Sequence, residues 1–303
     1  MSTLKSLKVR IKSVKSTQKM TKAMKMVAAS KLRRAKQMVE SSRPYADKLR
    51  ELMINLASNI SVRGSHNNKF PLLTGRHKNK VHLLVVLSSD RGLCGGLNTS
   101  TVKYVKHHIE YLKADHKQVK ILCIGKKAHD QLKTKYGDLI IDYIPGIFKN
   151  NIDYQIAKKI SHRLIELFNN EEFDIGSVIF SKFKSAIAQE VVKRQLIPTP
   201  VHLEDESYHD IRDRVQTGHA PISYEPNQDE LLADLLPKNL TIQIYNQLLE
   251  NSASEQGARM AAMESASNNA GKMIKNLTLV YNRTRQANIT KELIDIVSGA
   301  NAV

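Results

Sequence analysis

LKSLKVRIKSVKSTQKMTKAMKMVAASKLRRAKQMVESSRPYADKLRELMINL, residues 4–56, places apolar side chains on a 3.5-residue template at Leu4, Leu7, Ile11, Val14, Ala28, Leu32, Ala35, Val39, Ala46, Leu49, Met53 and Leu56. Twelve of sixteen template positions are therefore apolar, which predicts one very long helix with a coiled-coil seam. Gln18, Thr21 and Lys25 interrupt the stripe, and Met20, Met24 and Val27 on the adjoining track are expected to cover those gaps. At 1.5 Å per residue such a helix runs about 80 Å, longer than a small domain is wide. Pro44 removes a backbone donor, so a kink or break is expected near Glu40 to Arg43.

The far end has the same character. After Pro237 no proline occurs, and Lys238 to Val297 reads as a second long helix. Its 3.5-residue template collects Ile242, Tyr245, Leu249, Met263, Ala266, Ala270, Met273, Leu277, Val280, Ala287 and Ile294. The central stretch NSASEQGARMAAMESASNNAG, residues 251–271, is rich in Ala, Ser, Gly and Asn, which permits close approach of helices but supplies little burial of its own. Such a helix needs a partner.

Between the two helices the period changes. Residues 58–79 read as a polar linker, and VHLLVVLSS, residues 81–89, as a buried strand. Further strands are expected at 120–125, 139–144, 177–183 and 191–198, with helices at 97–113, 126–136 and 152–168. Alternation of this kind predicts a Rossmann-like α/β domain over 80–203 with a largely parallel sheet and an antiparallel edge. Residues 204–237 form an acidic connection; the shaft helices take 1–57 and 238–303.

Of 303 residues, 47 are Lys or Arg and 29 Asp or Glu, a formal charge of +18. Residues 1–57 alone hold fifteen basic and three acidic groups, whereas 204–234 hold nine acids and two bases. The chain is thus electrically polarised. A basic coiled-coil protein that binds nucleic acid is one reading, although residues 1–44 lack any aromatic side chain for stacking. No apolar run approaches the ~18 residues of a membrane span, so no direct membrane insertion is expected.

Catalytic signals are weak. RGLCGGLN, residues 91–98, lies where a nucleotide fold puts its phosphate loop, but its glycines match neither dinucleotide nor P-loop spacing. A tight turn is the better reading, ahead of a nucleotide-binding enzyme built on 80–203. Cys94 beside Arg91 has the setting of an activated thiol without a histidine partner. The histidines, His107, His108, His202 and His209 among them, are expected at the surface, and the two cysteines offer no metal spacing. No catalytic residue, cofactor or metal is expected.

STQKMTKAMKMVAASKLRR (16–34), SSDRGLCGGLN (88–98), ARMAAMESASNNAG (258–271) and YNRTRQANITKELIDIVSGANAV (281–303) resemble the gamma subunit of F-type ATP synthase. The resemblance covers the whole chain. It implies an antiparallel coiled coil of the two terminal helices, working as a rotary shaft within three alpha and three beta subunits and standing beside an epsilon subunit on a membrane c-ring. It implies that Arg285 and Gln286 hydrogen-bond a beta subunit, that Arg259, Thr290, Glu292 and Asp295 couple rotation to catalysis, and that Met24 faces a beta lobe. Tyr224 and Glu225 correspond to a pair at the c-ring foot. Gly257 stands where relatives carry a better helix former, and a softer helix is expected there. A peripheral position on the cytoplasmic face of a bacterial inner membrane is expected, with the matrix side of the mitochondrial inner membrane as the alternative; a Met1 so close to the first seam residue speaks for the bacterial one.

Overall fold

A computed structural model describes residues 3–62, 69–76, 78–149, 152–186, 188–199 and 227–300. The chain divides into two compact units: Lys31–Ala258, and Met1–Ser30 with Arg259–Val303. Two helices belong to both units, α1 (Leu4–Val62) and α6 (Gln228–Ala300).

Residues 31–258 contain a five-stranded sheet. Its strands are β1 (Val81–Leu87), β2 (Gln118–Ile124), β3 (Ile140–Ile144), β4 (Ile175–Phe183) and β5 (Gln189–Ile197), in the order β3-β2-β1-β4-β5. β1 pairs in parallel with β2 and β4, with Leu84 opposite Ile121 and Val86 opposite Ile179. β2 and β3 are parallel too, while β4 and β5 form an antiparallel hairpin at the edge. A short α2 (Pro71–Thr74) precedes β1, and α3 (Leu97–Ala114), α4 (Lys126–Tyr136) and α5 (Tyr154–Asn169) connect the strands.

The uninterrupted apolar run of β1 follows from coverage on both faces. Leu83, Val85 and Leu87 enter a core with Phe168, Phe173 and Phe180, which also receives Leu240, Ile244, Leu248 and Leu249 of α6. Leu84 and Val86 enter the opposite core with Val105, Ile109 and Leu132. At the start of β1, the Asp174 carboxylate accepts from the backbone amides of Lys80 (2.8 Å) and Val81 (2.9 Å). Burial pushes this carboxyl up, but the two amides and nearby Lys78 outweigh it and leave it below the ordinary Asp value.

Both long helices extend past their expected ends. α1 runs unbroken through Pro44 to Val62, so no break occurs near Glu40 to Arg43. Ala46, Leu49, Met53 and Leu56 pack with Leu232 and Leu236 just beyond the proline, and that tertiary burial offsets the one lost hydrogen bond. α6 starts at Gln228, ten residues before Lys238, with Pro237 inside it. Its start is set by Asn227, whose Oδ1 accepts from the Glu230 amide at 2.8 Å while its Nδ2 donates to the Glu230 carboxylate at 2.7 Å. This is an N-cap with an acidic residue three positions on.

Gly257, where a softer helix is expected, also makes room for a neighbour. A Cβ there would lie 3.0 Å from the Phe183 ring and 3.4 Å from the Ala186 Cα. The missing side chain lets α6 lie directly against the end of β4.

Candidate functional site

All sixteen template positions of α1 from Leu4 to Leu56 are buried or partly buried, including Gln18, Thr21 and Lys25. The neighbouring track does not cover these polar positions: Met20, Met26 and Val27 are 61%, 67% and 58% exposed, and Met24 is partly buried. Polar groups fill the seam themselves. The Gln18 amide Nε2 donates to the Ser267 carbonyl at 3.4 Å, and the buried Thr21 hydroxyl donates to the Gln18 carbonyl at 3.0 Å. Lys25 Nζ meets the Glu264 carboxylate at 2.6 Å.

These contacts run in opposite directions along the two helices, so α1 and α6 are antiparallel within this unit. In residues 31–258 the same sense appears where Ser42 donates to Asn246 and the Gln228 side chain reaches the Leu56 carbonyl. On α6 the seam beyond Arg259 runs through Met263, Ser267, Ala270, Ile274, Leu277, Tyr281 and Thr284. Of the expected positions, Met263, Ala270 and Leu277 lie on it and Ala266 is partly buried, whereas Met273, Val280, Ala287 and Ile294 are exposed. Adjacent apolar pairs, Met273-Ile274 and Val280-Tyr281, made the wrong partner of each pair look like the seam.

Among the described residues the seam runs as far as Thr284, level with the start of α1 near Leu4. From Arg285 to Ser298 every α6 side chain that is described is exposed. Arg285, Gln286, Thr290 and Glu292 all lie on this overhang. On helical spacing, Arg285, Ile289 and Glu292 share one face, and Gln286, Thr290 and Leu293 the next. Ile289, Leu293, Ile296 and Val297 are 47–67% exposed, apolar residues that the sequence reading did not single out for contact. Asp295 lies in the helix, with its side chain outside the described residues; Tyr224 and Glu225 are outside them altogether.

The expected site residues therefore do not converge on one pocket. Arg259 is 9% exposed, and at 1.5 Å per residue it lies roughly 39 Å along α6 from Arg285. Met24 sits beside the Lys25–Glu264 pair. The remaining face of α1 is basic: Lys5, Lys8, Arg10, Lys12, Lys15, Lys19 and Lys22 are all exposed, with no acidic residue before Glu40.

The mouth of the sheet, at the carboxyl ends of the parallel strands, is filled by the chain itself. Asp90 accepts from the amides of Lys126 (3.2 Å), Gly146 (2.9 Å) and Phe148 (2.9 Å). The Ser89 carbonyl takes the Lys127 amide and the Ser88 hydroxyl takes the Ala128 amide. The first-turn amides of α4, where an anion would be received in a nucleotide fold, are thus engaged by three consecutive residues of the β1 loop. Gly125 makes this closure possible, with φ +98° and a Cβ position only 2.1 Å from the Ser88 carbonyl oxygen. Cys94, beside Arg91 in the sequence, is 1% exposed, with the Asn98 amide at 3.1 Å from its sulfur. Burial pushes the Cys123 thiol up to about 12.

His108, expected at the surface, is partly buried and stacks between Tyr104 and Tyr111 at ring separations of 6.4 and 6.0 Å. Burial, with Lys193, His82 and His107 nearby, pushes its pKa down to about 4. His82 is lowered by burial and by Lys117 and Lys193, against the opposing pull of Asp174 and Asp115. Among the described residues no group of three or more His, Cys, Asp or Glu side chains is arranged to hold a metal, and no helix is long and apolar enough to cross a membrane.

The family model described as ATP synthase matches residues 3–303. Curated relatives named ATP synthase gamma chain cover the whole chain and are covered whole by it: those of Pelagibacter ubique strain HTCC1062 (46% identical), Methylobacterium nodulans (48%) and Rhodospirillum rubrum (47%). Among solved structures, the central stalk and c-ring of Tetrahymena thermophila mitochondrial ATP synthase aligns with a TM-score of 0.59 at 29% identity, over 82% of this chain and 99% of that one. A chain of Euglena gracilis mitochondrial ATP synthase shares the fold, with a TM-score of 0.65 at 19% identity over 99% of this chain and 94% of that one.

Proposed function

Since this chain belongs to the gamma-chain family of ATP synthase, we propose that it is the central rotor shaft of an F-type ATP synthase. It transmits torque between proton-driven rotation of a membrane c-ring and a catalytic hexamer of three alpha and three beta subunits. It is a mechanical subunit without catalytic residues, cofactor or nucleic-acid partner of its own. The observation that carries this reading is the overhang of α6 past Thr284, where apolar and hydrogen-bonding side chains alternate around a single exposed helix. A helix apolar on several sides is stable in water only when other surfaces enclose it.

Within that reading, α1 (Leu4–Val62) and α6 (Gln228–Ala300) are the shaft helices, residues 80–203 the α/β domain, and the acidic connection ahead of α6 the foot. Arg285 and Gln286 engage a beta subunit in one angular position and exchange it for water in the next; the planar five-donor guanidinium suits a carboxylate that comes and goes. Thr290, Glu292 and Asp295 serve the same surface, and Met24 faces an acidic loop of the lower beta lobe. Arg259, buried on α6, acts through the helix that carries it. Tyr224 and Glu225 meet the c-ring, and an epsilon subunit stands beside the α/β domain. The subunit is peripheral, on the cytoplasmic face of a bacterial inner membrane.

The test is reconstitution with alpha and beta subunits. A stable complex whose ATPase activity depends on the added chain is expected; failure to assemble, or activity indifferent to its omission, overturns the reading. In the assembled enzyme, Arg285→Ala is expected to impair ATP synthesis and proton pumping while assembly persists, and unchanged coupling would remove Arg285 from the contact set.

A further inference from the structure

The polar block in the seam has properties that an apolar seam lacks. Knobs of Leu, Ile and Ala can repack after one helix slides by a heptad, because apolar contact carries no direction. The contacts of Gln18 and Lys25 with α6 exist in a single register, while Thr21 between them donates within α1 to the Gln18 carbonyl and keeps that part of the seam polar. The Gln18 amide reaches the Ser267 carbonyl at 3.4 Å and occupies space left by Gly271, where a Cβ would stand 3.0 Å from its Nε2. Two turns away, Lys25 meets Glu264 at 2.6 Å, and Thr21 between them is 8% exposed. The ion pair is too open to water to add much stability, with side chains 39% and 51% exposed, so its value is geometric.

We propose that Gln18, Thr21 and Lys25, with Glu264, Ser267 and Gly271, form a register lock that stops α1 and α6 sliding along one another under load. They are positioning residues: they fix the axial height of the Arg285–Ser298 overhang relative to Met24 and the basic face of α1. The part concerning load rests on the rotor-shaft reading. The lock itself is a property of the helical pair and is tested independently. A polar layer of this kind trades stability for uniqueness.

The register is read on the full-length chain with spin labels at Ser13→Cys and Asn276→Cys, both exposed positions outside the block, the native Cys94 and Cys123 being buried. The labelled chain is expected to give one inter-label distance. In Q18L/T21L/K25L a second inter-label distance is expected, because a seven-residue slip carries one label about 10 Å along the helix axis at 1.5 Å per residue, together with an unchanged or raised thermal midpoint. In the reconstituted enzyme the same variant is expected to hydrolyse ATP but to lose proton pumping. If it fails to fold, G271A replaces it, since a methyl group evicts the Gln18 amide while Ala favours helix by about 1 kcal/mol. K25E should blur the distance and K25E/E264K restore it. A single unchanged distance in the triple variant and in G271A overturns the lock and leaves the shaft reading standing. Failure to assemble with alpha and beta subunits overturns the shaft reading while the distances still decide the lock.

Discussion

Two stretches of one helix, α6, meet opposite surroundings. Between Gln247 and Arg259 nearly every side chain is buried, on all sides, although the residues are Asn, Ser, Glu, Gln and Gly as often as apolar. From Arg285 to Ser298 every described side chain is exposed, although Ile289, Leu293, Ile296 and Val297 are among them. Hydropathy alone would have reversed the two. The buried stretch is inside because small and polar groups fit there: Ser254 donates to the Ser181 carbonyl at 2.7 Å, Asn251 accepts from the Ser181 amide at 3.3 Å, and Gly257 admits Phe183. The exposed stretch lies past the part of α6 that the described residues of α1 cover. One segment is finished as a fold, and the other is finished only in an assembly.

Substitutions should separate the two. The largest effect belongs to the sheet unit: Phe180→Ala, at a side chain with 0% exposure, is expected to lower the unfolding free energy by about 3–5 kcal/mol in chemical denaturation. A loss below 1 kcal/mol would show that this core is loosely packed. Asp90→Ala orphans three backbone amides and is expected to cost about 1–3 kcal/mol. His108 should give a pH signature. Its folded pKa, about 4, lies below the ordinary 6.5, so between those values the unfolded chain binds more protons and stability falls as pH falls. His108→Phe is expected to flatten that part of the acid limb, measured by thermal unfolding from pH 7 to 4. The smallest effect on stability belongs to the overhang. Leu293→Ser is expected to shift unfolding by less than about 0.5 kcal/mol while weakening the ATPase activity of the reconstituted complex. A large loss of stability there would mean that the overhang is packed in the free chain.

The sheet was legible because each strand is a short apolar run bounded by turn residues, and strands and helices fall within a few residues of expectation. The register of α1 was legible down to all sixteen seam positions. What occupies three of them was not, because a count of apolar residues treats Gln18, Thr21 and Lys25 as defects instead of contacts. Pro237 was taken as a helix boundary although the Asn227-to-Glu230 capping pattern lay upstream of it. At Pro44 the helix stays unbroken: a proline states only a local cost, and burial beyond it decided the outcome. The partial burial of His108 depends on β1 and β5 neighbours far away in sequence, so no local pattern announced it. The overhang follows from the unequal reach of two helices, which becomes visible only once their register is known.

Asp90 has a mechanical consequence. Its single carboxylate ties the loop after β1 to the start of α4 and to the turn after β3, at the point where related sheets open to admit a ligand. Three segments that a ligand would have to part are stitched together by one side chain, so the loop after β1 serves as a clasp and not as a cradle.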